Sequence, residues 1–227
     1  MGTLRIISQS GKPFLNRQQA GQLLGNELIN LKGEDVVVLG IPCGGVIVAY
    51  EIAAILQGKL DVILSRKLRT PGHEELAMGS ITENGKTFLN KMLIQRLVAV
   101  KYDVEHEKNK QMAEITRQAS VFRSAQPKIN LRNRTVVVTD DGIATGLTLQ
   151  AALWAVRQEH AKKIIAAVPV ASSESLQRLT LDADEILCLR VPPFFNAVGQ
   201  FYTEFDPVTD DEVLALLYKA NHKITPE

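Results

Sequence analysis

Residues 136–148 constrain the fold of this chain more than any other stretch: Val136-Val-Val-Thr-Asp140-Asp141-Gly142-Ile143-Ala144-Thr145-Gly146-Leu147-Thr148. The β-branched apolar run reads as a strand buried on both faces. It ends on two adjacent carboxylates, followed by a turn with two glycines and hydroxyls at Thr145 and Thr148. A helix over 147–159 comes next. A strand that passes straight into a helix through such a turn belongs to a parallel α/β architecture. The backbone N–H groups of the turn, backed by a helix N-terminus, suit a phosphate. The paired acids suit hydroxyls or a metal. Together they point to a ligand carrying both hydroxyls and phosphate, such as a phosphorylated sugar. A plain Asp-Gly turn with Thr145 or Thr148 as helix cap is the alternative, but it needs neither the second acid nor the second glycine.

The rest of the chain repeats the alternation. Helical spacing runs over 16–31 through Ala20, Leu23, Leu24, Leu28 and Leu31. A β-branched run at 35–40 is followed by a helix over 46–57. Strands are expected at 60–65, with Arg66 and Lys67 at its C-terminal end, and at 135–139, 163–168 and 184–189. Further helices fit 172–179 and 210–220, the last capped by Thr209. This predicts one domain over 1–227, with a parallel sheet flanked by helices on both faces and ligands gathered at the carboxyl ends of the strands. Residues 68–130 interrupt the alternation with a hairpin around Asn84-Gly85 and a polar, helix-prone stretch over 91–123. They are read as an inserted lid or hood.

A second glycine turn, Gly40-Ile-Pro42-Cys43-Gly44-Gly45, also joins a strand to a helix and would let an anion approach the backbone. Tight strand-to-helix packing explains Gly44 and Gly45 equally well when they are taken alone. Cys43 reads as a loop-filling thiol rather than a nucleophile, since no partner histidine is evident.

These segments, with Arg66-Lys67-Leu68, Pro71-Gly72-His73 and Val198-Gly199-Gln200, resemble the type I phosphoribosyltransferases. In particular they resemble a largely uncharacterised bacterial group of that family. The resemblance implies a ligand, phosphoribosyl diphosphate (PRPP), and Mg²⁺ carried mainly by substrate oxygens. Asp140 and Asp141 would hold the ribose hydroxyls and place fixed negative charge beside an oxocarbenium-like transition state, which makes them the catalytic candidates. The turn Gly142, Ile143, Ala144, Thr145, Gly146, with Thr148, would hold the 5-phosphate. Cys43, Gly44, Gly45, Arg66 and Lys67 would face the pyrophosphate, although relatives often carry a cation where Cys43 stands. Phe194 or Phe195 would reach the acceptor, and tail packing is the alternative for both. Purine-specific relatives carry an acid where Ala144 stands and a lysine near Val168 to Ser172, so a purine acceptor is not implied. His73 or Glu83 could serve as base.

Two function classes follow: a transferase moving phosphoribosyl to a small-molecule acceptor, usually a nitrogenous base, or a PRPP sensor without turnover. A phosphohydrolase using Asp140 and Asp141 lacks the spacing that chemistry usually shows. The 26 basic and 25 acidic residues leave a net charge of +1, which gives no electrostatic case for nucleic-acid or membrane-surface partners. No apolar run approaches the roughly 20 residues of a membrane span. Two distant cysteines and no leader-like start fit a cytoplasmic chain, and the resemblance allows a homodimer.

Overall fold

Successive side chains of the central strands enter two different cores. Val36 and Val38 join one apolar cluster while Val37 and Leu39 join the other; Val137 and Leu187 lie opposite Val136 and Ile186 in the same way. Alternation between two apolar environments is why these strands read as unbroken hydrophobic runs. The structure is a computed structural model describing residues 2–70, 73–89 and 101–222.

Its main sheet is parallel throughout, in the order β1 (Thr3–Ser8), β9 (Glu185–Arg190), β8 (Lys163–Val170), β7 (Thr135–Thr139), β2 (Val36–Gly40) and β3 (Lys59–Val62). Helices α1 (Arg17–Glu27) and α2 (Gly44–Leu56) cover one face. α4 (Leu147–Gln158) and α5 (Ser173–Leu179) cover the other. β2 and β7 end level, with Gly40 opposite Thr139, while β8 continues past Ala167, the partner of Thr139, to Val170. The turns leaving β2, β7 and β8 therefore open onto one edge of the sheet.

The expected strand over 60–65 is shorter, because the chain bends after β3 and begins a second sheet at β4 (Ser65–Thr70). β4 pairs antiparallel with β5 (His73–Thr82), and β5 with β6 (Thr87–Leu89). Gly85, in the left-handed region at φ 74°, turns the β5–β6 hairpin. The helix read over 16–31 stops at Glu27 and resumes as a 3₁₀ turn at Ile29–Leu31. β1 is an addition to the sequence reading: it sits at the sheet edge, where Ile6 and Ile7 stay over 40% exposed, so its pattern lacks the buried run of its neighbours. Thr209 caps α6 (Asp210–His222) as expected: its Oγ1 accepts from the Glu212 amide at 3.2 Å, and the Glu212 carboxylate accepts in return from the Thr209 amide at 2.7 Å.

The 25-residue helix α3 (Lys101–Ala125) returns the chain toward β7. Its Arg123 bridges two sheets. It donates to Asp61 on β3 at 2.7 Å and, through two nitrogens, to Glu83 at 2.6 and 2.8 Å. Asp61 is 1% exposed and also accepts from the Val62 and Ile129 amides. Burial raises its carboxyl above the usual range, and Arg123 acts in the opposite sense. Removing Arg123 would strand that buried carboxyl. Arg123→Met should destabilise the protein by about 3–5 kcal/mol, read as a lower urea midpoint with unchanged slope. A loss under about 1 kcal/mol would show that the bridge is ornamental.

Candidate active site

Two turns meet at the level ends of β2 and β7, and they touch because one of them lacks side chains. A Cβ on Gly45 would lie 2.9 Å from both the Asp140 Cα and the Thr139 carbonyl oxygen. A Cβ on Gly44 would strike the Asp141 Oδ2. The 40–45 turn, whose Pro42–Cys43 peptide is cis, lies directly against the two acids.

The turn after β7 is fastened from behind. Ile143 bridges Ala171 in parallel fashion, through its amide to Val170 and its carbonyl to the Ser172 amide. The Ala144 carbonyl accepts from the hydroxyls of Ser172 at 3.0 Å and Ser175 at 2.6 Å, and the Thr145 carbonyl from Arg178 at 3.0 Å. Gly146 takes the N-cap position of α4 at φ 77°, and no side chain caps this helix end. Thr145 and Thr148 are therefore not caps. Ala144 and Thr148 are exposed at the cleft.

Asp141 is held on both its side chain and its backbone. Arg17, the first residue of α1, donates Nε to Asp141 Oδ2 at 2.8 Å, with both side chains largely buried. The Tyr202 hydroxyl donates to the Asp141 carbonyl at 2.5 Å. Arg17 also donates Nη1 to the Asp206 carbonyl at 2.9 Å and lies 3.9 Å above the Phe205 ring. Asp140 accepts from the Asp141 amide at 2.9 Å. Burial, and then the neighbouring Asp141 charge, push the Asp140 carboxyl well above the usual range; the Asp141 amide and Arg17 oppose this. Sequence reasoning treated residue 17 only as part of a helix, and no local motif marks it.

A patch of positive charge faces the first turn. Arg66 and Lys67 sit on β4, not at the end of β3 as the sequence suggested, because the chain has already entered the second sheet. They share a cavity of about 170 Å³ with Ile41, Pro42 and Thr148. Thr148, read with the phosphate turn, thus also faces the cation side. Arg66 contacts Gln118 at 3.3 Å and Glu114 at 3.4 Å on α3. Arg117, unmarked in the sequence, binds Asp210 at 2.6 Å, and Asp210 in turn faces the Cys43 Sγ at 3.5 Å.

Beyond β8 and β9 lies a cavity of about 480 Å³ lined by Gln9, Ser172, Ser173, Val191, Pro192 and Phe195, among others. The Phe195 ring also packs 5.0 Å from Phe201, while Phe194 is 82% exposed. Glu83, one of the two candidate bases, is taken up by Arg123. The other, His73, has its backbone on β5; Pro71, Gly72 and residues 90–100 lie outside the described residues. Among the described residues no three His, Cys, Asp or Glu side chains gather as a metal-binding set, and no helix is long and apolar enough to cross a membrane.

The surroundings of Cys43 disfavour its thiolate. Burial and the Asp210 carboxylate push its pKa up to about 11. At pH 8 its thiolate fraction is then roughly a hundredfold below that of a free cysteine, so iodoacetamide should label it about two orders of magnitude more slowly. Mass spectrometry of the labelled peptide would show this, with the rate climbing about tenfold per pH unit toward pH 10. Labelling as fast as free cysteine would contradict the assignment.

The phosphoribosyl transferase domain model matches residues 15–206, which takes in both turns, the acids, Arg17 and the tail that holds it. A Mycobacterium tuberculosis protein, provisionally named a phosphoribosyl transferase, is 42% identical over 210 residues; the match covers 92% of this chain and 47% of that protein. The chain thus spans about half the length of the curated relatives it matches. The crystal structure of TT1426 from Thermus thermophilus superposes with a TM-score of 0.85 at 42% identity, covering 91% of this chain and 98% of that one. With the domain model running from the residue before Asn16 to the carbonyl that anchors Arg17, the chain belongs to the phosphoribosyltransferase family.

Proposed function

We propose that this protein transfers phosphoribosyl from PRPP to a nitrogenous acceptor with release of pyrophosphate. One observation carries the reading: two turns suited to anions are locked in contact, with an acid pair between them. Asp140 and Asp141 accept the two ribose hydroxyls. The amides of Gly142, Ala144, Thr145 and Gly146 take the 5-phosphate at the uncapped N-terminus of α4, the Ile143 amide being held by Val170. The 40–45 backbone, Arg66, Lys67 and Thr148 take the diphosphate.

The donor set fits Mg²⁺ held mainly by substrate oxygens, because two carboxylates, one already engaged by an arginine, make no closed protein cage. When bound, the ion would neutralise charge on the departing diphosphate. The chain's own residues orient the ribose, and the acids place negative charge beside C1 as it becomes electron-poor.

The acceptor binds in the cavity beside Phe195, whose lining named above is uncharged. Ala144 offers no acid, and Val168 to Ser172 contains no lysine where purine-reading relatives are expected to carry one, which argues against a purine. β4 to β6 act as a lid that keeps water from the activated ribose. The sensor alternative rests on the same Ala144 and on the missing cation at Cys43, and pyrophosphate release with a panel of bases separates the two.

Mg-PRPP titrated calorimetrically should bind saturably, whereas ribose 5-phosphate binds more weakly. Asp141→Asn should cut PRPP affinity about tenfold or more, as expected for a hydrogen bond to a charged group. Ligand at about 100 times its dissociation constant should add about 2.7 kcal/mol of stability. Backbone hydrogen exchange across 65–89 should slow on binding. Absence of wild-type binding would sink the transferase and sensor readings together.

A further inference from the structure

Arg17 reaches 124 residues along the chain to touch the motif, and the contact is lopsided. Its guanidinium gives Nε to one oxygen of Asp141 and Nη1 to a backbone carbonyl of the tail. The forked, two-bond pairing typical of a purely structural arginine–carboxylate bridge is absent. Asp141 Oδ1 has no protein partner among the described residues. The guanidinium itself is fixed: it lies over the Phe205 ring, Tyr202 stacks on Phe205 with centroids 5.0 Å apart, and the Tyr202 hydroxyl returns to the Asp141 backbone. The loop closes through four residues and ends on the acid it began from. Gly44 supplies the space, since a Cβ there would lie 2.8 Å from the Arg17 Nε as well as on the carboxylate.

Resting on the proposed PRPP site, we infer that Arg17 is the positioning residue of the acid pair: it holds one Asp141 oxygen so that the other faces the ligand, and its charge compensates the two adjacent carboxylates. It brings to the site, from α1, positive charge that Cys43 does not provide.

The charged and titratable groups facing the pair are few. α1 brings Arg17, and the tail after β9 brings Tyr202, which burial keeps protonated and which Arg190 also faces. The turn into α2 brings the glycines and the Cys43 thiol, and α6 brings Glu212, whose carboxylate Arg17 also faces. Beyond that turn Asp210 and Arg117 offset each other at 2.6 Å. Among the described residues, Arg17 is the cation whose charge favours ionised Asp140. Removing it makes Asp140 harder to ionise, so the acid limb of any binding that uses ionised Asp140 moves to higher pH.

The test compares wild type, Arg17→Met and Arg17→Lys. Mg-PRPP affinity is measured by calorimetry from about pH 5 to 8, and Asp140 is titrated by carboxyl ¹³C NMR without ligand. Arg17→Met should bind about tenfold or more weakly, with the Asp140 titration and the acid limb both moved upward. Arg17→Lys should restore the limb but not the affinity, because an ammonium cannot reproduce both fixed bonds. Wild-type affinity in Arg17→Lys, or an unmoved limb in Arg17→Met, would overturn the inference. If Arg17→Met fails to fold, the affinity of Arg17→Lys decides. If wild type does not bind Mg-PRPP, the proposed function falls, and the ligand-free titration decides the role of Arg17 alone: an unchanged Asp140 would end it.

Discussion

Everything chemical in this molecule depends on how closely two backbone turns approach. Parallel pairing in register levels the ends of β2 and β7, and that alone would bring the turns near one another. Contact requires that positions 44 and 45 carry no Cβ, since one would land on the Asp141 carboxylate and the other 2.9 Å from the Asp140 Cα. The gap between an anion-suited loop and an acid pair is thereby reduced to van der Waals distance, short enough for one ligand to span both. Either glycine alone reads as ordinary packing; the register supplies the second half of the reason.

The charges that complete the site come from outside its motifs. Arg17 arrives from α1, Arg66 from the second sheet, and Arg117 from α3 by way of Asp210. None lies on the strand–turn–helix units that carry the acids and glycines. The β-α units supply geometry and backbone donors, while the added elements supply cations. Cys43 fits this division: with its thiol raised by burial and Asp210, it fills space and leaves charge to its neighbours.

How much could be read in advance follows from the same division. The strand at 135–139 was legible to the residue because both of its faces are buried, and Thr209 because a cap is a local signal. The parallel sheet followed from repeated strand–turn–helix order. β1 escaped notice because, at the sheet edge, none of its residues is fully buried and Arg5 interrupts its apolar run. The second sheet was seen only at its Asn84-Gly85 turn, since β4 carries Arg66, Lys67 and Arg69 and lacks the strand-like composition of the core. Arg17 could not have been found by any local rule: its partners are 124 and 189 residues away, and only the folded topology places them together.

That separation governs the order in which the molecule can assemble. β1 pairs with β9, the last strand, and the Phe14 amide bonds to the Phe201 carbonyl. Arg5 reaches Glu27 nearby, but the backbone partners of β1 and of Phe14 lie beyond residue 184. Contacts this distant in sequence close slowly, because loop entropy must be overcome before they form. The β2–α2 and β7–α4 units can form earlier, from nearer neighbours. The clamp on Asp141 joins residues 17, 141, 202, 205 and 206, so its parts are all present only once the chain has been made as far as Asp206.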